Sequence, residues 1–236
     1  MPKVYLDYAA TTPIDLKVLR AMMPYLRKEF GNPSSIHAFG QKAMSAVDSA
    51  RQIMANFLGC QSAEIIFTGS ATEADNLAIF GSVKKGDHVI ISNIEHHAIL
   101  ETCQALEKNG VEVTYLPAGK DGLVAVSDLD KAIKPNTALV SIMYANNEIG
   151  TVQPIAEIGQ LLQKYKIQDT KYKILFHTDA VQAANFLDCD VEKLGVSLLT
   201  LSSHKIYGPK GVGALYVKKG VKISPMIYGG GQEQSI

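Results

Sequence analysis

From residue 64 onward, short apolar runs rich in β-branched residues alternate with longer segments of helical period. A chain patterned this way resolves into an α/β fold, a mostly parallel sheet with helices against its faces. The runs at 64–68, 87–92, 111–116, 138–143, 174–179, 197–202 and 213–217 predict a seven-stranded sheet. Helical spacing predicts helices over about 14–28, 39–57, 72–82, 97–109 and 155–166, with Lys85-Gly86 and Asn109-Gly110 as stop signals. In the 39–57 segment Phe39, Ala43, Ala46, Val47, Ala50, Ile53, Met54 and Phe57 recur at three- and four-residue steps. That face is expected to bury against the sheet.

The first forty residues are different: Ala9-Ala10-Thr11-Thr12-Pro13 and Gly31-Asn32-Pro33-Ser34-Ser35 are turn-formers around one short helix, expected to lie as loops over a site. At the other end the sequence stops at Gln232-Glu233-Gln234-Ser235-Ile236, just after a triple glycine, which reads as a truncation.

Lys+Arg and Asp+Glu both total 23, so there is no basic surplus with which to neutralise a nucleic-acid backbone. Asp7 comes too early for a signal peptide, and no apolar run approaches the roughly 20 residues a membrane helix needs. A soluble, cytoplasmic chain is the expectation. Cys60, Cys103 and Cys189 form no close pair and suit a reducing compartment.

In open α/β sheets ligands sit beyond the carboxyl ends of the strands, and four predicted ends carry polar residues. Thr68-Gly69-Ser70-Ala71-Thr72-Glu73 leads straight into a helix, whose free N–H groups suit a phosphate; an ordinary helix cap is the plain alternative. Strand 174–179 delivers Asp179, followed by Gln182, and the next ends in Ser202-Ser203-His204-Lys205. A carboxylate and a lysine on successive strand ends are the parts that pyridoxal phosphate requires, one for its ring nitrogen and one for its aldehyde. A simple Asp–Lys ion pair is the alternative, and the phosphate cradle tips the balance toward the cofactor. Glu95-His96-His97 can set one imidazole over a flat ring, or merely cap a helix. Asn146-Asn147-Glu148 can offer an amide to a phenolate oxygen, or merely make a turn. A metal site built from His96, His177, Asp179 and His204 lacks any supporting ligand spacing.

Taken in order, these stretches resemble the cysteine desulfurases of the NifS and IscS type, a branch of the class V aminotransferase-like enzymes. The resemblance is carried by Tyr5-Leu6-Asp7-Tyr8-Ala9-Ala10-Thr11-Thr12, Gly31-Asn32-Pro33-Ser34-Ser35-Ile36-His37, Ala71-Thr72-Glu73, Glu95-His96, Asn146-Asn147-Glu148-Ile149-Gly150, Asp179-Ala180-Val181-Gln182, Ser202 through Gly211, and Gly229-Gly230-Gly231-Gln232-Glu233. It implies a fold-type I large domain over 13–236, an N-terminal segment 1–12 belonging to or near a small domain, and no small C-terminal domain. It implies that Lys205 carries pyridoxal 5'-phosphate covalently, that His96 stacks on the ring and that Asp179 partners the ring nitrogen. Asn147 and Gln182 then face the ring and its oxygen, while Ala71, Thr72, Ser202 and His204 hold the phosphate.

The activity implied is conversion of L-cysteine to L-alanine, with sulfur captured as a persulfide on a mobile-loop cysteine and passed toward iron–sulfur cluster or thio-cofactor assembly. A homodimer and a scaffold or sulfur-acceptor partner are implied as well. Two departures stand out. Gly69-Ser70 reverses the family's usual Ser-Gly order, which is expected to alter the cradle's backbone slightly. The larger departure is that the sequence stops before the family's Arg-x-Gly-Thr segment and before its persulfide-forming loop cysteine, both expected in a missing part; none of Cys60, Cys103 or Cys189 matches that cysteine, so all three are expected to be structural. The competing readings are another lyase or transaminase such as a selenocysteine lyase, and a non-catalytic binding remnant.

Overall fold

The computed structural model describes residues 2–168, 174–231 and 233; Gln232 and 234–236 of the terminal motif lie outside the described residues. The seven expected strands are present as β1 (Ile65–Thr68), β2 (His88–Ser92), β3 (Glu112–Leu116), β4 (Thr137–Ser141), β5 (Leu175–Asp179), β6 (Leu198–Ser202) and β7 (Gly213–Val217). They form one sheet in the order β1-β7-β6-β5-β4-β2-β3. β7 runs antiparallel to both neighbours, and every other pairing is parallel. The reversal follows from connection length: the turn after β6 is too short for the helical crossover that a parallel neighbour needs.

Among the described residues seven α-helices complete the fold: α1 (Leu16–Arg27), α2 (Ala38–Leu58), α3 (Ala71–Phe80), α4 (His97–Lys108), α5 (Val126–Ala132), α6 (Ile155–Gln168) and α7 (Val191–Leu194). Alternation along each strand feeds two cores. Val89 and Ile91 of β2 pack with Leu77 of α3 and Ile99 of α4 on one face. Ile90 packs with Val140, Phe176 and Ile158 on the other. β2 has β3 on one side and β4 on the other, so the strand order reverses there, and such switch points open a crevice at the carboxyl ends.

Three expectations are corrected. The apolar face of α2 does not bury against the sheet as a whole: Phe39 is 62% and Ile53 67% exposed, while Gly40, Ala43, Ala55 and Leu58 are the buried positions. The helix expected over 72–82 ends at Phe80, before Lys85-Gly86, with Gly81 as its C-cap and Ser224 N–H donating to Gly81 O at 2.8 Å. β4 closes at Ser141 rather than at 143. The short helices α5 and α7 had no distinct periodic signal.

Candidate active site

The phosphate cradle is built by capping. Ser70, extended at φ −166°, accepts a hydrogen bond from Glu73 N–H on its hydroxyl at 3.1 Å, and Gly69 N–H donates to the Glu73 carboxylate at 2.9 Å. This reciprocal cap leaves the N–H groups of Ala71 and Thr72, which have no intrahelical acceptor, at the positive end of α3. Gly69 is not among the positive-φ glycines, so the reversed Gly69-Ser70 order asks for no left-handed backbone.

Asp179 ends β5 and is 7% exposed; its Oδ1 accepts from Val181 N–H at 2.9 Å. Burial raises its carboxyl above the usual range, while that N–H bond, His96 and Lys205 all pull it back toward the ionised form. Lys205 ends the single turn of 3-10 helix Ser203–Lys205 that follows β6. Its amine donates to the carbonyls of Ala9 and Ala10, and burial lowers its proton affinity. A lysine that must present a lone pair to an aldehyde benefits from that shift.

The turn carrying Lys205 is fastened from the N-terminal segment. Thr12 N–H and hydroxyl both donate to His204 O at 2.9 Å, and the same hydroxyl accepts from Tyr207 N–H at 2.9 Å. Tyr207 has φ 63°, alone among the described non-glycine residues in the left-handed region. His204 Nδ1 lies 3.1 Å from the Thr11 hydroxyl, and Gln182 Nε2 donates to Ala9 O at 2.9 Å. Of the two stretches expected to lie over a site, 9–13 does so, with Ala10 and Thr11 on the cavity, whereas 31–35 does not line it.

His96 serves two ends at once. Its Nδ1 caps α4 by accepting from Ala98 N–H at 3.1 Å, which fixes the ring while leaving its face on the cavity. The Asn146-Asn147 turn divides its labour: Asn146 Oδ1 accepts from Glu148 and Ile149 N–H, shaping the turn, and Asn147 faces the cavity. His177, one of the four metal candidates, is fully buried with Nδ1 on Ser141 and Nε2 on Thr200.

Lys205, His96, Asp179, Asn147, Gln182, Ala71, Thr72, Ser202 and His204 all line one cavity of about 480 Å³. A cavity of that size suits a phosphorylated ring compound. A helix N-terminus with Thr72, Ser202 and His204 fits a phosphate, the buried carboxyl of Asp179 fits a ring nitrogen, and the half-buried Lys205 amine fits an aldehyde. The residues present therefore fit pyridoxal phosphate. Sequence reasoning missed Asp75, Met143, Lys210 and Val212 on the same wall. Asp75 had a signal: it lies four residues after Ala71 and so on the same face of α3.

Over residues 4–236 the sequence matches the aminotransferase class-V family. The chain belongs to that family. Cysteine desulfurase IscS of Dictyoglomus turgidum is 52% identical over 237 residues, covering 99% of this chain and 58% of the relative. The IscS of Methanosarcina thermophila is 51% identical over 235 residues, covering 98% and 56%. A solved structure of SspA in complex with cysteine superposes with a TM-score of 0.92 at 44% identity, over 99% of this chain and 67% of that one. A NifS-like protein superposes at 0.93 with 40% identity, over 99% and 64%. The chain thus spans less than three-fifths of the length of these curated relatives. The class-V sheet is that of the fold-type I pyridoxal phosphate enzymes, in agreement with the donor set around the cavity.

Proposed function

We propose that residues 13–236 are the cofactor-binding large domain of a cysteine desulfurase, which removes sulfur from L-cysteine and leaves L-alanine. The observation that carries this reading is the convergence of Lys205, Asp179 and His96 with the α3 cradle on one cavity, in a chain about half identical to cysteine desulfurases. When bound, pyridoxal phosphate supplies an electron-withdrawing ring that stabilises negative charge on an attached amino acid. Thr72, Ser202, His204 and the Ala71 and Thr72 amides would hold its phosphate. Asp179 would keep a proton on the ring nitrogen, His96 would cover one face, and Asn147 and Gln182 would address the ring oxygen. Lys205 Nζ would hold the aldehyde carbon, and it is the base placed to move a proton at the substrate's Cα.

The sulfur acceptor is a different matter. None of the three cysteines lines the cavity, and burial pushes Cys60 up to about 11, Cys103 to about 12 and Cys189 to about 11. We place the persulfide-forming thiol outside residues 1–236, together with the small domain. The same reading makes the protein a cytoplasmic homodimer that serves a sulfur-acceptor or iron–sulfur scaffold protein. Ile36, Phe39 and Phe57 are exposed apolar side chains that self-association would cover.

The test is the visible absorption spectrum with added pyridoxal phosphate before and after borohydride reduction. Wild type is expected to show a visible band that reduction bleaches while leaving the cofactor covalently bound to the protein, and Lys205→Ala neither. A folded wild type without such a band overturns the cofactor reading. Sulfide release from L-cysteine that needs Lys205 and is lost on substitution of Cys60, Cys103 or Cys189 overturns the placement of the thiol.

A further inference from the structure

Three buried carboxyls gather at the cavity, Asp75 at 1% exposure and Asp179 at 7% on its wall and Glu95 at 5% behind it. The function proposed above uses only Asp179. Asp75 also lines the cavity, and its Oδ1 has no hydrogen-bond partner among the described residues.

The groups facing Asp75 come from three elements. From β5 come Asp179 and His177, from the loop after β2 comes Glu95, and from β6 comes Thr200. His177 Nε2 stands 3.6 Å from Asp75 Oδ1, yet this is no ion pair, because burial drives the imidazole down to about 3 and leaves it neutral. Its two nitrogens are taken by Ser141 Oγ at 2.8 Å and Thr200 Oγ1 at 3.0 Å. On its own helix Glu73 turns its carboxylate to Gly69 N–H, and on α4 the Cys103 thiol is neutral. Among the described residues no cation answers Asp75, and only the Thr200 hydroxyl favours its charged form. Asp179 has Lys205, His96 and the Val181 N–H on its side.

Two carboxyls in one desolvated pocket hold a single charge in comfort, and it settles where cations and N–H donors are. We propose that Asp75 and Asp179 act as one carboxyl pair with a single negative charge, Asp75 being a positioning residue that keeps the proton and leaves the charge on Asp179. This rests on the cofactor reading, in which Asp179 faces the ring nitrogen. Burial and the Asp179 charge both push Asp75 well above the ordinary carboxylate range, which agrees with that division. A consequence follows at high pH. When Asp75 finally yields its proton, the pair gains a second charge and holds the proton on the ring nitrogen to higher pH.

The test has two arms. In the 236-residue chain labelled with ¹³C at the aspartate carboxyls, before cofactor is added, one carboxyl is expected to stay protonated at pH 7 and to vanish in Asp75→Asn. In Asp179→Asn its midpoint is expected to fall by about one pH unit or more, the shift caused by losing a like charge nearby. An Asp75 carboxyl ionised at pH 5, or a midpoint that ignores Asp179→Asn, overturns the proposal. In the second arm the protein is loaded with pyridoxal phosphate carrying ¹⁵N in the ring. The ring nitrogen is expected to lose its proton about one pH unit earlier in Asp75→Asn than in wild type. Equal midpoints mean that Asp75 does not ionise before the ring nitrogen and overturn the high-pH consequence, whereas a wild type that takes up no cofactor overturns the functional reading; the first arm, read without cofactor, tests the shared charge itself and tells the two apart.

Discussion

Gly213, the first residue of β7, lies against the backbone of Ser70, the cap of α3: a Cβ on Gly213 would stand 2.5 Å from the Ser70 carbonyl carbon and 2.7 Å from Thr68 Oγ1. The reversed strand and the phosphate cradle are therefore one packed unit, and the absence of a side chain at 213 sets where the cradle sits. Gly213→Ala must push backbone rather than a flexible side chain, at a cost of about 1–3 kcal/mol. The expected result is a lower urea midpoint together with a larger proportional loss of pyridoxal phosphate affinity. Unchanged affinity in a destabilised variant would separate strand from cradle and refute the coupling.

Thr12 is 3% exposed and fastens the Lys205 turn with one hydroxyl that both donates to His204 O and accepts from Tyr207 N–H. Thr12→Val keeps the shape and removes both bonds, stranding the N–H of a residue already in a costly backbone region. The expected loss is about 1–3 kcal/mol, seen as a lower melting midpoint and weaker cofactor retention. Thr12→Ser should restore both. A valine variant as stable as wild type would show that the N-terminal segment does not hold the turn.

How much of this was legible depends on what each pattern encodes. The strand runs announced themselves because a strand buried on both faces needs apolar residues throughout, and Val89-Ile90-Ile91 has no other reading. The residues at strand ends were legible because a carboxylate and a lysine interrupt such runs at a defined edge. The fate of the α2 face was not. Its period shows that Phe39 and Ile53 share a side, but says nothing of what lies opposite; Ala55 and Leu58 at its C-terminal end join the main core, with Met54 packed against it. Asp75 escaped notice for a related reason: within Ala-Asp-Asn it looks like a solvated helix position, and its burial comes from β5 and β6, far away in sequence.

The cysteines give a chemical prediction. With Cys60 and Cys189 pushed up to about 11 and Cys103 to about 12, roughly one thiol in a thousand or fewer is a thiolate at pH 8. Native protein should alkylate with iodoacetamide about 100-fold or more slowly than protein in urea. Cys60, half-buried where the others are buried, should be modified first. Mass spectrometry of a time course reads both rate and order, and rapid native labelling of Cys103 would contradict the packing around α4.

Glu95 turns its environment into a pH dependence of stability. Ser92 Oγ at 2.6 Å and Met143 N–H at 2.9 Å both donate to its Oε1, while Oε2 has no partner among the described residues. Burial raises its carboxyl from 4.5 to about 8, with the Asp179 charge adding to the shift. Between those values the folded protein keeps a proton that the unfolded chain releases, so stability falls as pH rises through the window. The contribution is complete below pH 4.5 and lost by about pH 8. Glu95→Gln puts an uncharged amide in the same place, able to accept the Ser92 and Met143 bonds and with no proton to release. Urea midpoints of wild type should therefore drop between pH 5.5 and 8, and those of Glu95→Gln should drop less. Asp75 and Asp179, also raised by burial, keep part of the slope with the same sign. Equal slopes in the two proteins would mean that Glu95 is ionised in the fold, and that its unpartnered oxygen is reached by water.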